Sequence, residues 1–173
     1  VRILLAASLL LGGASPVFAA CNGLSFASLG NFSWTAGSGS DYDVFDATQY
    51  TQTEAFVVKR QGNNVCDFFV TFSPGNAGNY NRLLSATDTL SYQIYDSPTM
   101  SNVLKELPEA LSNEVLSGTA SKKNNNMSFV VSIPAQQVKA PGSYTDQFDM
   151  TLYEGTLSSY ILHATQSVTF TTT

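Results

Sequence analysis

The sequence predicts an all-β protein built as an antiparallel β-sandwich. Three observations lead there. Ser, Thr and Asn supply 50 of the 173 residues, charged residues are only 12%, and aromatics, mostly Phe and Tyr, reach 12%. Such a hydroxyl-rich, charge-poor composition suits pleated, half-buried strands. Apolar and polar residues alternate along most of the chain. Seven or eight such runs follow at short spacing, parted by Gly, Asn and Asp clusters. The length suits one domain with a core of its own.

The chain opens on an address. Arg2 gives a positive start, residues 3–11 are apolar, and Gly12, Gly13, Ser15 and Pro16 end the run before the small residues Ala19 and Ala20. This reads as a secretory signal peptide over residues 1–19, too short to span a bilayer, with the domain occupying 20–173. Cleavage after Ala19 leaves Ala at −1 and Val17 at −3. Residues 18–21, Phe-Ala-Ala-Cys, also resemble a lipoprotein box, and lipidation there would consume Cys21. With Arg2 removed the chain carries 7 basic and 13 acidic residues, a net charge of −6. That balance excludes a nucleic-acid partner, which needs a basic face.

The strand signals follow in order. Residues 24–34 form a first apolar stretch, 37–41 a Gly/Ser loop, and 42–46 a short edge piece. Residues 53–60 carry Phe56-Val57-Val58, and 61–64 turn the chain. In residues 65–73 the period of two puts Cys66, Phe68, Val70 and Phe72 on one face. Cys21 and Cys66 are the only thiols, so export allows a single disulfide, closing a loop of about 45 residues. Residues 74–80 are a Gly/Asn-rich loop. Leu90, Tyr92 and Ile94 then share a face, as do Met127, Phe129, Val131 and Ile133. Tyr144, Phe148, Met150 and Leu152 form another set, and Leu162, Ala164, Val168 and Phe170 the last. Residues 122–126, Lys-Lys-Asn-Asn-Asn, read as a polar hairpin tip. The exception is 96–118, where Val103, Leu104, Leu107 and Leu111 have helical spacing interrupted by Pro108. It predicts a short helix or a long apolar loop.

Two stretches carry a family resemblance. Residues 89–96, Thr-Leu-Ser-Tyr-Gln-Ile-Tyr-Asp, resemble the LxYxLY strand of spore coat protein U-like domains. Residues 133–146, Ile-Pro-Ala-Gln-Gln-Val-Lys-Ala-Pro-Gly-Ser-Tyr-Thr-Asp, resemble that family's IPAGQ…PAGxYxD signature. The resemblance implies an immunoglobulin-like sandwich serving as a subunit of archaic chaperone–usher pili. Its implied partners are a periplasmic chaperone, an outer-membrane usher and other pilus subunits, and its place is the cell-surface fimbrium. Ordinary subunits lack one strand and accept it from a neighbour by β-strand addition. Here two departures are expected. A chain maturing next to Cys21 has no donor segment before that cysteine, and the strand-like run 159–170 lies past the usual end of the family domain. Both resemble the self-completed N-terminal domain of a tip adhesin, with a second pilin domain expected after residue 173.

In that reading the domain meets an abiotic or host surface through apolar loops and takes part in attachment and biofilm formation. The candidate contacts are Met100, Val103, Leu104, Leu107 and Leu111, with Trp34 beside residues 37–39 as a second candidate. The alternatives are an ordinary subunit completed by donor-strand exchange and a secreted carbohydrate-binding module. Catalysis is not expected. His163 is the single imidazole, no G-x-S-x-G elbow occurs, and Glu106 and Glu109 are an ordinary pair on a polar segment. Asp41, Asp43 and Asp46 lack the further ligands and the central Gly of a calcium loop, so no metal and no cofactor is expected.

Overall fold

A computed structural model describes residue 21 and residues 23–34 and 47–173. It is an all-β structure: eleven strands and no helix among the described residues. The strands are β1 (Leu24–Phe26), β2 (Phe32–Trp34), β3 (Tyr50–Arg60), β4 (Asp67–Phe72), β5 (Leu83–Ser85), β6 (Thr89–Ser91), β7 (Gln93–Tyr95), β8 (Leu116–Thr119), β9 (Asn124–Ile133), β10 (Tyr144–Thr156) and β11 (Ser159–Thr172). One sheet runs β1-β3-β9-β7 and the other β2-β11-β10-β4-β8, with the β5–β6 hairpin attached to β10. These are the orders of the two immunoglobulin sheets, with β11 in the place of the final strand. Within each sheet neighbours are antiparallel, except that β2 runs parallel to β11.

The core lies between the sheets, where the period of two places it. Phe56 and Val58 of β3, Phe68, Val70 and Phe72 of β4, Phe129, Val131 and Ile133 of β9, and Phe148, Met150 and Leu152 of β10 are all buried. Leu90, Tyr92 and Ile94 share the inner face as expected, although the chain changes sheets at Tyr92, whose amide donates to the Arg82 carbonyl at 3.1 Å. Residues 122–126 are not a hairpin tip. Residues 120–123 carry the chain from β8 in one sheet to β9 in the other, and Asn124, Asn125 and Asn126 open β9, paired with β3. The expected edge piece at 42–46, the loop at 37–41 and the signal peptide at 1–19 lie outside the described residues.

The two motif stretches meet inside the fold. The Tyr92 hydroxyl donates to Asp146 Oδ2 at 2.6 Å, and the amide of Asn76 donates to Oδ1 at 2.9 Å. Asp146 is fully buried, and these bonds, with one from the Gln147 amide at 2.8 Å, give its side-chain oxygens the partners that burial demands. Gly75 makes the approach possible: a Cβ there would stand 2.3 Å from Asp146 Oδ2. Burial first, then the Asp146 charge, pushes the Tyr92 hydroxyl far up, so it remains a donor. Beside them Arg82, also fully buried, donates to Gln93 Oε1 (2.9 Å) and to the carbonyls of Ser73 (2.7 Å) and Leu104 (3.1 Å). Tyr144 donates its hydroxyl to the Ala140 carbonyl at 2.6 Å. This is the tyrosine corner of sandwich folds, and it fixes the entry of β10.

Candidate functional site

The sequence directs attention to three places: the disulfide, residues 96–118 and the last strand. Cys21 and Cys66 are bonded, with Cα atoms 5.8 Å apart. The sulfur of Cys21 is therefore not available for lipidation. Cys21 also donates its amide to Glu154 Oε1 at 2.8 Å, and Glu154 Oε2 lies 2.8 Å from His163 Nε2. Glu154 is 3% exposed, so the start of the domain, β10 and β11 are joined through one buried carboxylate. Cys21, Cys66 and Glu154 are the one group of potential metal ligands that stand together among the described residues. The disulfide consumes both thiolates, and a metal needs them ionised and free. His163 thus holds a carboxylate at the end of the sandwich.

Residues 96–118 form no helix. Pro108 removes the amide that would continue one, and the segment makes separate turns, with the Met100 amide on the Ser97 carbonyl, the Ala110 amide on Glu106 and the Glu114 amide on Leu111. Residues 103–105 instead run along the side of the sandwich. The Leu104 amide donates to Ile94 of β7, and the Phe72 amide of β4 donates to Lys105, at 2.9 and 3.1 Å. The strip thus bridges the two sheets, and the Leu104 side chain enters the core, 0% exposed. Farther on, Ala110 and Val115 cover Phe69 on the outer face of β4, with Leu107, Tyr153 and Leu157 packed against them. This explains why Phe69 is buried on the face that alternation assigns to solvent. Lys105 and Glu114 hold the base of the excursion at 2.7 Å, and Glu114 also accepts from the Leu111 amide at 3.0 Å. The Lys105 hydrogen bond holds the Glu114 carboxyl below its usual range.

Leu104 is accordingly withdrawn as a surface contact, and so is Trp34. Trp34 is 1% exposed and packs against Tyr50 and Phe170, with ring centroids at 4.9 and 4.7 Å. A large apolar side chain on an inward strand position is core before it is anything else. Met100, Val103 and Leu107 are half-buried, and Leu111 is 63% exposed. The calcium candidates Asp41, Asp43 and Asp46 lie outside the described residues. The Glu106 carboxyl is pushed up by burial, then by Asp149 and Glu109, and its amide donates to the Tyr80 hydroxyl at 2.8 Å.

The last strand is fully seated. β11 pairs with β10 along thirteen register positions, from Tyr144↔Thr172 to Thr156↔Ser159, and its far end pairs with β2. Val168 and Phe170 are 0% exposed, and Phe170 stacks on Phe32 at 4.8 Å. One register shift occurs, between Leu152↔Ala164 and Tyr153↔Leu162, which makes His163 the extra residue of a bulge. The bulge corrects the expected face. Ala164, Val168 and Phe170 point inward, but Leu162 turns outward and is 58% exposed. Tyr160 and Ile161 are 48% and 55% exposed, so the end of the β10–β11 hairpin carries three apolar side chains in a row. Sequence reasoning missed this patch because it assumed an unbroken alternation.

Comparison with known proteins places these features. A search of curated proteins finds no match. Among solved structures, AggA, the major subunit of aggregative adherence fimbriae type I from Escherichia coli, shares 13% identity over 89% of this chain and 98% of its own, with a TM-score of 0.48. The CooA pilin subunit from enterotoxigenic E. coli shares 14% over 88% and 99%, at 0.43. CfaE, the adhesive subunit of the CFA/I fimbria of enterotoxigenic E. coli, shares 9% over 83% of this chain and 46% of its own, at 0.47. The Spore Coat Protein U domain matches residues 15–151, most of the chain, and both motif stretches lie within the match. This protein belongs to the Spore Coat Protein U domain family, as a structural, non-enzymatic member.

Proposed function

We propose that this domain is a fimbrial subunit of a chaperone–usher fibre and stands at its outermost end. One observation carries the reading: β11 occupies the final-strand position of the sandwich, bonded to β10 and β2, and it lies beyond the residues the family domain matches. A domain that holds its own last strand needs no neighbour to cover its core. The signal peptide at 1–19 delivers it to the periplasm, where the disulfide forms and a chaperone and usher pass it to the cell surface.

Attachment to an abiotic or host surface then falls to exposed apolar residues. Tyr160, Ile161 and Leu162 at the hairpin end are exposed and consecutive, which supports them, with the expected Leu111, as the contact over Val65 and Val138, which are exposed singly.

Residues 20–173, exported to an oxidising compartment without chaperone, are expected to be monomeric and to unfold cooperatively. A domain recovered only with a chaperone or with a donor peptide bound is an ordinary open subunit, and the terminal position is then wrong. Ile161→Ser with Leu162→Ser should lower retention on polystyrene several-fold at unchanged Tm. Retention that stays the same removes the hairpin from the contact.

A further inference from the structure

One end of the sandwich gathers features that the fibre position does not explain. β3 ends there at Arg60, β4 begins at Asp67, β8 ends at Thr119, β9 begins at Asn124, and the β10–β11 turn closes the same end. Backbone bonds tie these pieces together. The Arg60 amide donates to the Lys123 carbonyl at 2.9 Å and the Ala120 amide to the Cys66 carbonyl at 2.7 Å. Two kinds of side chain face outward from this end. Tyr160, Ile161 and Leu162 are about half exposed, and so is Val65 in the turn between β3 and β4. Lys122 and Lys123 are exposed in the crossing from β8 to β9, and Lys59 is half-buried in β3, opposite Asn124.

Charge is unevenly placed. The chain carries a net −5, yet these three lysines make no ion pair among the described residues. The other described cations are engaged. Arg60 is buried and donates to the carbonyls of Asn63 and Asn64, Arg82 is buried, Lys105 pairs with Glu114 and Lys139 with Asp88. Asp67 is the one exposed carboxylate at this end among the described residues, and its Oδ1 accepts from the Thr119 hydroxyl at 2.8 Å. That combination selects the partner. A soluble polyanion would meet the lysines and leave the apolar side chains in water. A neutral apolar surface would cover the apolar side chains and leave the lysines without counterions. A bilayer with anionic headgroups serves both: the apolar side chains enter at headgroup level, where tyrosine is favoured, and the lysines reach the phosphates. The groups come from three separate connections across one end, an arrangement that suits a plane.

We propose that this end of the domain docks on a phospholipid bilayer carrying anionic headgroups, with Tyr160, Ile161 and Leu162 at the interface and Lys59, Lys122 and Lys123 on the phosphates. The proposal rests on the surface-contact reading of the hairpin and narrows it to one kind of surface.

The test is co-sedimentation of the exported, disulfide-bonded protein with phosphatidylcholine vesicles, with and without phosphatidylglycerol, read beside retention on polystyrene. Binding should require phosphatidylglycerol and should vanish when salt shortens the Debye length to about 3 Å. Lys122→Gln with Lys123→Gln should weaken vesicle binding roughly tenfold or more, at unchanged Tm and unchanged retention on polystyrene. Ile161→Ser with Leu162→Ser should weaken both. The proposal fails if the two kinds of vesicle bind alike, if neither binds, or if the lysine substitutions leave vesicle binding as it was. Any of these results with polystyrene retention still dependent on the hairpin leaves the broader contact reading standing. The proposal also fails if vesicle binding survives Ile161→Ser with Leu162→Ser and dextran sulfate binds equally well, which marks a site for soluble polyanions.

Discussion

Replacing Phe170 by Ala tests whether β11 is part of the core or merely lies along it. Phe170 is 0% exposed and touches three rings: Phe32 at 4.8 Å, Trp34 at 4.7 Å and Tyr92 at 5.3 Å. Two come from β2 and one from the crossing point between the sheets, so the truncation leaves a cavity that no single flexible side chain fills. A buried Phe→Ala change costs about 3–5 kcal/mol. At about 2–4 °C per kcal/mol for a domain of this size, Tm should fall by roughly 6–20 °C. Leu162→Ala, in the same strand but 58% exposed, should stay within about 0.5 kcal/mol. Urea unfolding followed by tryptophan fluorescence reads both, since Trp34 lies against the altered ring. A Phe170→Ala cost below about 1 kcal/mol, or equal costs at the two positions, would refute the seating of β11 and with it the terminal position in the fibre.

Three further outcomes are expected. Cys21→Ser with Cys66→Ser removes a link closing 45 residues and should cost about 4 kcal/mol by the loop-entropy relation, measured as a lower urea midpoint. Asp146→Ala should cost about 3–5 kcal/mol, because it strands the buried Tyr92 hydroxyl and the Asn76 amide beside a buried Arg82; a neutral result in calorimetry would show that the motif pair is dispensable. Glu114 has a lowered folded-state pKa, so its contribution is present above the ordinary carboxylate range near 4.5 and is lost as pH falls through the lower folded value. Its pairing with Lys105 is half open to water, so the effect is under about 1 kcal/mol. The wild-type and Glu114→Gln proteins should therefore differ in Tm at pH 7 and converge near pH 3.

Most of the sandwich is legible in the sequence because strand alternation is a local property. Phe68, Val70 and Phe72, or Tyr144 through Leu152, need only their own spacing to declare an inner face. Cys66 is legible for the same reason. The failures share a cause: each depends on what a distant segment does. Phe69 is buried because residues 107–115 fold back over it. Leu104 is core because its backbone bridges β4 and β7. Helical spacing of apolar residues cannot distinguish that bridge from a helix, and Pro108 alone argues against the helix. Trp34 looks exposed beside a Gly/Ser run, yet its strand pairs with β11 from the far end of the chain.

The extra residue at His163 divides β11 into two regimes. On one side of it the inward positions Ala164, Val168 and Phe170 answer to the interior, and change there is punished. On the other, Ile161 and Leu162 answer to whatever lies outside, and the interior does not register them. Those two letters can be rewritten freely, while the half of the ribbon that keeps the domain whole stays as it was.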